Sequence, residues 1–571
     1  MSTSLKRAMQ NALTPEERRE RASIEAAPKP TIQVDMFDVQ LGAALLVQFR
    51  DENGVAVRVL ADAGVDPQSH YPKDHVLAPL KQAMKDFHEA DLRVDLLMGT
   101  HYDADHLDGL IPIINDPGIH ITEAWMPPVA NDTEQHTLDD QPQERQLLAK
   151  QFASENGGVV LQRYFKSKRL DCERLRVLQE AAQNFASERE SRYRGPNRET
   201  RHRESSDEGV FEGESADNWI GYADRLFKRH FDEASKCIGE EQEASTHADD
   251  NIQDPSELGW QGLELYYGQE GLDSFFWWHR WPWLGDVDNS IREYWSQRRD
   301  RAAVDARGLA FIRKSTAKDA ITASSLYKVV AALRARGIPI ACRIIDDGVP
   351  RRFVWQRGVR RFIEGPNLHG EPEIVLLGPS RGLVKKHWDR LPMGDHARMM
   401  FSLLLPSKSI TPSNQLSYVA RLGFAKQGIL ISGDAGCVDF APRRRAKFYQ
   451  TLLETLLPLH VIQVAHHGGN NAQFYNVLLS AGFGTQADAS SLLLSHATND
   501  RSRPSDLFAR FVAGVRKDVD NVQILFTGRP RSAFVKEYKG LIAGQVGQRQ
   551  AAGDIRLAFG GSQWIVKKHA I

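Results

Sequence analysis

The sequence predicts an α/β protein in which strands and helices alternate in two separate blocks. Over 31–64, runs of β-branched and apolar residues stand between turn signals, which is typical of strands. Helical spacing of apolar residues follows over 75–90, and another apolar run of strand length over 93–100. The same alternation returns after about residue 320. Strands that alternate with helices in this way indicate a layered α/β fold.

The second block begins with a predicted helix, "ASSLYKVVAALRARG", and continues as a series of apolar runs. The predicted strands lie in "IPIACRII", "PEIVLLGP", "QLSYVARLGF", "QGILISGDAG", "HVIQVAHHGG" and "SSLLLSHATND". The C-terminal "GDIRLAFGGSQWIVKK" predicts a hairpin that turns at Gly560 and Gly561. Several runs end in polar residues, and these ends supply the candidate functional residues.

The composition limits the classes of protein to which this chain can belong. The 571 residues include 73 basic and 74 acidic side chains, a formal net charge of -1, so any contact with nucleic acid requires a local basic patch. No CxxC pair occurs among the four cysteines, which argues against a disulfide framework or a thiolate zinc site. The N-terminus lacks an apolar signal-peptide core, and no apolar stretch approaches the roughly 20 residues of a membrane span. We therefore expect a cytoplasmic protein that does not contact a membrane.

Changes in composition divide the chain into four segments. Residues 1–28 are a predicted N-terminal arm, and 29–130 and 319–571 carry the α/β pattern. The segment 131–318 is a predicted insertion that is mainly helical and contains a mobile charged loop. This loop, "GPNRETRHRESSDEGVFEGESAD", is rich in charge and poor in apolar residues.

Two stretches of the insertion have a composition that suits contact with nucleic acid. "FFWWHRWPWLGD" interleaves a histidine and an arginine with four tryptophans, Trp277, Trp278, Trp281 and Trp283. Aromatic faces beside cations can stack unpaired bases, although the core of a small helical subdomain is the commoner explanation. The basic stretch "RYRGPNRETRHR" over 192–203 can contact phosphates, but acidic residues flank it, and a solvated loop explains it as well.

The stretch "GTHYDADHLDGL" over 99–110 concentrates histidines and aspartates directly after a predicted strand. Alternate residues of an extended loop point the same way, so His101, Asp103 and Asp105 can converge, and His106 can turn into the same space. Imidazole nitrogens and carboxylate oxygens are the usual ligands of catalytic divalent metals. The alternative is an exposed polar loop. The spacing favours half of a metal site.

Two later strand ends carry the same residue types. Asp434 ends the apolar run of "GILISGDAG", and His466 and His467 end that of "VIQVAHHGG". One histidine of the pair can complete a metal shell while the other donates a proton. Each feature alone is also explained as an ordinary turn or strand end. Three strand ends with ligand-type residues in one chain favour a metal site.

These motifs resemble the metallo-β-lactamase fold, and within it the soluble nuclease domain of ComEC-type DNA-uptake proteins. The pattern of that domain is HxDxDH rather than the commoner HxHxDH. Further similar motifs follow in the same order, namely "MFDVQLGAALLVQF", "VLADAG", "NQLSYVARL", "LISGDAG", "VAHHGG" and "GDIRLAFGGSQWIV". The resemblance covers roughly residues 30–125 and 320–570. It implies an αββα sandwich that the 131–318 insertion interrupts.

The resemblance also implies a site with two metal ions. His101 and Asp103 would help to hold one ion, Asp105, His106 and His466 the other, and Asp434 would bridge the two. The ions would activate a water that attacks phosphorus. Asp105 is also a candidate to orient this water, and His467 a candidate to protonate the leaving oxygen.

The chain departs from the family pattern at three places. The turn that the family writes D-V-G-Q-G-D-A is "DVQLGAA" over 38–44, which lacks the second acidic residue, and the serine expected after H-H-G is Gly469. The family's G-H-P is Ser502-Arg503-Pro504, which removes a histidine that assists the chemistry in the family. His496 lies at a predicted strand end close before Arg503. His496 either substitutes for the missing histidine of the G-H-P motif or is a strand-end histidine without a catalytic role.

The resemblance implies a metal-dependent phosphodiesterase or nuclease whose nucleic-acid partner and substrate is DNA. A defence-type effector is one possible role of such an enzyme. An aspartate in place of a histidine supplies a harder oxygen ligand, so we expect two divalent ions, with manganese favoured over zinc or magnesium. Two other functions stay open. One is hydrolysis of a lactone, thioester or cyclic nucleotide on the same fold. The other is a non-catalytic metal-binding protein that docks a protein partner.

Overall fold

The computed structural model describes the two α/β blocks and a small part of the insertion. The described residues are 31–65, 70–88, 92–129, 144–165, 167–168, 319–320, 322–386, 411–441, 447–484, 490–498, 500, 503–516, 522–537, 553–560 and 563–568. The predicted N-terminal arm, the charged loop, the tryptophan cluster and the basic stretch lie outside them, as do Cys172 and Cys237. Cys342 and Cys437 are buried, and neither forms a disulfide bond within the described residues.

The first sheet has eight strands in the order β16-β15-β1-β2-β3-β4-β5-β6. Strands β3, β4, β5 and β6 run parallel to one another, and the remaining neighbours are antiparallel. The carboxyl ends of β3 and β4 therefore lie side by side. The strand bounds are β1 Ile32–Met36, β2 Ala43–Arg50, β3 Ala56–Gly64, β4 Arg93–Met98, β5 His120–Trp125, β6 Ile340–Ala341, β15 Ile555–Gly560 and β16 Gln563–Lys568.

The second sheet also has eight strands, in the order β14-β13-β12-β11-β10-β9-β7-β8. Here β11, β12, β13 and β14 are parallel, and the others pair antiparallel. The strand bounds are β7 Arg351–Gln356, β8 Arg361–Glu364, β9 Glu373–Gly378, β10 Val419–Phe424, β11 Gln427–Ile431, β12 Val461–Gln463, β13 Ser490–Leu494 and β14 Val522–Phe526. The predicted α/β class is confirmed in this form: two large mixed sheets with helices.

Alternation along β2 shows how the first sheet divides its side chains between two cores. Leu45 and Val47 belong to a buried cluster that also contains strand residues of the second sheet. Leu46, between them, belongs to a second cluster with Leu80 of the helix Leu77–Phe87. Side chains of a strand alternate between its two faces, so one face packs toward the second sheet and the other toward helices.

Contacts between the two sheets are made by large side chains. The rings of Trp125 on β5 and Phe353 on β7 lie 4.8 Å apart, edge to face. Near the other end, Trp564 Nε1 on β16 donates a hydrogen bond to Gln427 Oε1 on β11 at 2.9 Å. Both chain blocks thus contribute to one buried core.

The helices within the described residues are mostly short. None of those in the described ranges is long and apolar enough to cross a membrane. They are Leu77–Phe87, Ala104–Leu107, Leu110–Asn115, Leu148–Phe152, 157–165, 322–335, Arg381–Lys386, Pro412–Gln415, Gln450–Leu456, Ala472–Ser480, Asp506–Arg516 and Ser532–Glu537, with 3-10 turns at Glu144–Gln146, Val438–Phe440 and Ala465–Gly468.

The structure confirms the predicted strands and refines their lengths. The strand predicted in "IPIACRII" is reduced to Ile340–Ala341, and the one in "HVIQVAHHGG" ends at Gln463 because a 3-10 turn follows. The C-terminal strands pair antiparallel as predicted, with Gly560 opposite Gln563. Strands β5, β7, β8 and β14 were not predicted. Strands β7 and β8 contain several arginines, so they lack a continuous apolar run.

Candidate metal centre

Side chains from both sheets meet at the carboxyl ends of parallel strands. Asp62 lies near the end of β3, and the loop with His101 follows β4 in the first sheet. In the second sheet, Asp434 follows β11, and the pair of His466 and His467 follows β12. Open α/β sheets place their ligand sites at this end of the strands.

The loop after β4 packs directly against the end of β3. A Cβ atom on Gly64 would lie 2.1 Å from the carbonyl carbon of Asp105, so only glycine permits this approach. The carbonyl of Thr100 accepts a hydrogen bond from the backbone N–H of Tyr418 in the second half of the chain at 2.8 Å. These contacts hold the HxDxDH loop between the two sheets.

Asp62 fixes the orientation of His106. Its Oδ2 lies 2.8 Å from Nδ1 of His106, and both side chains are fully buried. The carboxylate also accepts hydrogen bonds from the Thr100 backbone N–H at 2.7 Å and the Thr100 hydroxyl at 2.5 Å. A histidine that donates one ring nitrogen to a carboxylate presents the other to a metal, and the carboxylate increases its basicity. Burial lowers the pKa of His106, but Asp62 outweighs this effect, with help from Asp434 and Asp105, and the pKa rises to about 9.

Asp434 is held on the opposite side by the second sheet. Its Oδ2 accepts a hydrogen bond from Asn414 Nδ2 at 3.0 Å. Its Oδ1 lies 3.6 Å from His106 Nε2 and 3.7 Å from His467 Nε2. Burial raises the pKa of this carboxyl, but the surrounding imidazoles outweigh it and hold the pKa well below its usual range. Gly433 precedes it at φ +48°, where an added Cβ would meet the Thr100 hydroxyl at 2.4 Å.

Six of the predicted residues form three overlapping groups that could hold a metal ion. In each group the ligand atoms all lie within 4.8 Å of one another. The groups are His101 with His106 and Asp434, Asp105 with His106 and His467, and His101 with Asp103 and Asp105. The shared members place the groups side by side, as a centre for two ions requires.

Buried atoms without hydrogen bonds show that this donor set fits a cation. Within the described ranges, His101 Nε2, His106 Nε2 and Asp434 Oδ1 are buried and have no hydrogen-bond partner. Such buried polar atoms are rare in folded proteins and require an explanation. These atoms belong to the three residues of the first group, and a divalent cation bound by them would satisfy all three at once.

The two adjacent histidines have different environments. His467 is 5% exposed, its Nδ1 lies 3.2 Å from the Ser495 carbonyl, and it belongs to a metal group. Burial lowers its pKa well below the usual range, so the ring is neutral and Nε2 is available as a ligand. His466 is half-buried and belongs to none of the groups formed by described residues. Its Nε2 lies 2.8 Å from Arg503 Nη2 and 3.8 Å from Asp434 Oδ2.

His496 lies outside the metal groups and holds the backbone instead. Its Nε2 is 3.0 Å from the carbonyl of Arg503, and its ring packs edge to face against Phe526 at 5.4 Å. Burial is the main cause that lowers its pKa, so the neutral ring donates Nε2–H to that carbonyl. The structure thus gives His496 a supporting contact to the Arg503 segment.

Four further residues of this centre were not predicted from the sequence: Asp62, Thr100, Asn414 and Arg503. Asp62 and Asn414 stand in "VLADAG" and "NQLSYVARL", whose resemblance was noted without a role for either residue. A buried aspartate near a strand end was the available signal for Asp62. Arg503 stands at the position of the family's G-H-P histidine, which was a signal for that position but did not indicate its contact with His466. Thr100 carried no signal of its own, because its role depends on contacts with distant segments.

The chain was compared with known protein families, curated proteins and solved structures. No protein-family profile, no curated protein and no solved structure matches this chain.

Proposed function

We propose that this protein is a metal-dependent phosphodiesterase of the metallo-β-lactamase type that cleaves DNA. The observation that carries the proposal is the meeting of His101, His106 and Asp434, whose buried ligand atoms come from both halves of the chain and have no hydrogen-bond partner among the described residues. Two facing mixed sheets with ligands at strand ends are consistent with the αββα sandwich that the HxDxDH motif implies.

The residues divide into ligands and supports. His101, Asp103, Asp105, His106, Asp434 and His467 would hold two divalent cations, which on binding supply Lewis acidity and an activated water. We propose His467 rather than His466 as the ligand after β12, because Arg503 occupies Nε2 of His466. Asp62 and Asn414 orient His106 and Asp434.

The chemistry of the ligands supports a harder metal than zinc. Three of the six proposed ligands are carboxylates, including Asp103 in place of the commoner histidine. Carboxylate oxygens suit manganese and magnesium, whereas imidazoles also suit zinc. We therefore propose manganese as the working ion.

The test is cleavage of DNA by the purified full chain with Mn²⁺, Mg²⁺ or Zn²⁺, in parallel with RNA, bis(p-nitrophenyl) phosphate and a lactone. We expect cleavage of DNA and of the diester with Mn²⁺. His106→Ala removes a residue common to two ligand groups and should abolish both the activity and stoichiometric metal binding. His369→Ala, the same substitution in an exposed loop, is the matched control and should leave both unchanged. Activity that survives in His106→Ala, or turnover of the lactone alone, would contradict the proposal.

A further inference from the structure

Arg503 stands at the edge of the candidate metal centre and forms no ion pair with a described residue. Its Nη2 lies 2.8 Å from His466 Nε2, and the side chain is half-buried. No carboxylate of a described residue lies within salt-bridge distance of this guanidinium. A guanidinium has five N–H donors, and only the contact of Nη2 with His466 uses one of them among the described residues.

The backbone around Arg503 is held firmly against the histidine pair. His496 Nε2 contacts the Arg503 carbonyl at 3.0 Å, and the Arg503 N–H donates to Asp500 Oδ1 at 2.8 Å. Two residues on, the Ser505 N–H donates to the carbonyl of Gly468 at 2.8 Å. These hydrogen bonds hold the backbone of Arg503 and Ser505 in place, as preorganised recognition of a ligand requires.

The charges of the centre explain why a cation is needed at this edge. Asp62, Asp103, Asp105 and Asp434 supply four negative charges, which two divalent ions neutralise. Metal binding would keep the ligand histidines deprotonated, so the loaded centre would have no excess positive charge to attract an anion. Arg503 supplies that charge in a partly desolvated position, where a charge-assisted hydrogen bond is stronger than in water.

We propose that the Arg503 guanidinium binds a non-bridging oxygen of the substrate's phosphoryl group, so that the site takes phosphate esters rather than neutral lactones or thioesters. This inference rests on the proposed function and specifies its substrate class. The planar fork of an arginine matches a phosphate with two parallel hydrogen bonds, which a lysine cannot reproduce.

The inference is tested by calorimetric titration of the Mn²⁺-loaded full chain with inorganic phosphate, together with kcat and KM for bis(p-nitrophenyl) phosphate. Arg503→Met should weaken phosphate binding by about 10- to 100-fold, the range expected for a hydrogen bond to a charged group, and raise KM or lower kcat for the diester. Arg503→Lys keeps the charge, and its affinity for phosphate should lie between those of the wild type and Arg503→Met. Arg510→Met, an exposed arginine on the next helix, is the matched control and should bind phosphate as the wild type does.

The metal content of each variant shows whether Arg503 binds the anion directly or only supports the residues that hold the metal. Loss of metal in Arg503→Met, or an equal loss of phosphate binding in His466→Ala, would show that Arg503 acts through His466 and would overturn the inference. If Arg503→Met does not fold, wild-type phosphate affinity in Arg503→Lys overturns it. If the wild type is active and Arg503→Met has the same phosphate affinity, kcat and KM, this inference alone is refuted. If the metal-loaded wild type cleaves no diester, the proposed function is refuted.

Discussion

The contact between Asp62 and His106 orients one of the candidate metal ligands. Asp62 adopts a positive φ of 57°, a backbone conformation that is uncommon outside glycine, and its carboxylate makes three hydrogen-bond contacts. Backbone strain of this kind persists where surrounding contacts fix it, and it often accompanies functional sites. The strained backbone of Asp62 places its carboxylate against Nδ1 of His106.

Asp62→Asn should lower the affinity for Mn²⁺ by about 10- to 100-fold, because the imidazole of His106 loses its carboxylate partner while its own ligand atom remains. The measurement is calorimetric titration with Mn²⁺. Asp108→Asn is the control, since Asp108 forms an ion pair with Lys73 at 2.9 Å and belongs to none of the ligand groups of the described residues. Equal affinities in Asp62→Asn and the wild type would show that His106 does not need this contact.

At the scale of elements, the centre requires a close approach of β3 to the short helix Ala104–Leu107. Gly64 permits this approach because it has no side chain. Gly42, on the turn before β2, lies close to the backbone of both Gly64 and Asp105. Helix Ala104–Leu107 carries Asp105 and His106, so the spacing between these elements sets the position of two ligands. The sequence gives the residue types for this contact, but the contact itself is tertiary.

Gly64→Ala should displace the HxDxDH loop, because the new Cβ would overlap the backbone of Asp105 at 2.1 Å. We expect a loss of stability of at least about 1–3 kcal/mol, as for overpacked cores, together with weaker metal binding. Thermal unfolding with and without Mn²⁺ measures both effects. Gly514→Ala, in a helix where nothing lies within 4 Å of the added atom, should be neutral or slightly stabilising. Similar unfolding temperatures for the two variants would contradict the close approach.

At the scale of the whole molecule, ion pairs between buried aspartates of the first sheet and arginines of the second join the two sheets away from the candidate metal centre. Arg360, in the turn between β7 and β8, lies 2.8 Å from Asp95 on β4, and Asp95 also accepts the backbone N–H of Arg58 at 2.9 Å. Burial raises the pKa of Asp95 from its ordinary 3.8 to about 6, although Arg360 and the hydrogen bond oppose this. The folded protein therefore retains this proton to a higher pH than the unfolded chain does.

Between about pH 4 and 6 the folded state binds more protons at Asp95, so the contribution of this residue to the free energy of unfolding decreases as the pH rises. The shift corresponds to a decrease on the order of 3 kcal/mol, complete above pH 6. Thermal unfolding of the wild type and Asp95→Asn across pH 4–7 should show a smaller decrease in the variant. Asp346→Asn, which alters an exposed pair with Arg381, should follow the wild type. The same pH dependence in Asp95→Asn would refute the assignment.

Much of the fold was predictable from the sequence because strands that lie in a buried sheet have a distinct pattern. Buried strands such as β2, β3 and β11 are nearly continuous apolar runs, and all three were predicted. The edge pair β7 and β8 was missed because its arginines are satisfied by acidic partners from other segments, such as Glu144. A one-dimensional pattern does not contain those partners.

The sequence by itself determined which residue types stand at the strand ends, namely His101, Asp105, His106 and Asp434, because ligand chemistry and strand length are local properties. The tertiary structure decided that His467, and not the adjacent His466, joins the groups of possible metal ligands. It likewise decided that Arg503 contacts His466. It also decided that Asp62 holds His106. These assignments depend on distances between segments that are far apart in the chain, and only the packing of the two sheets fixes such distances.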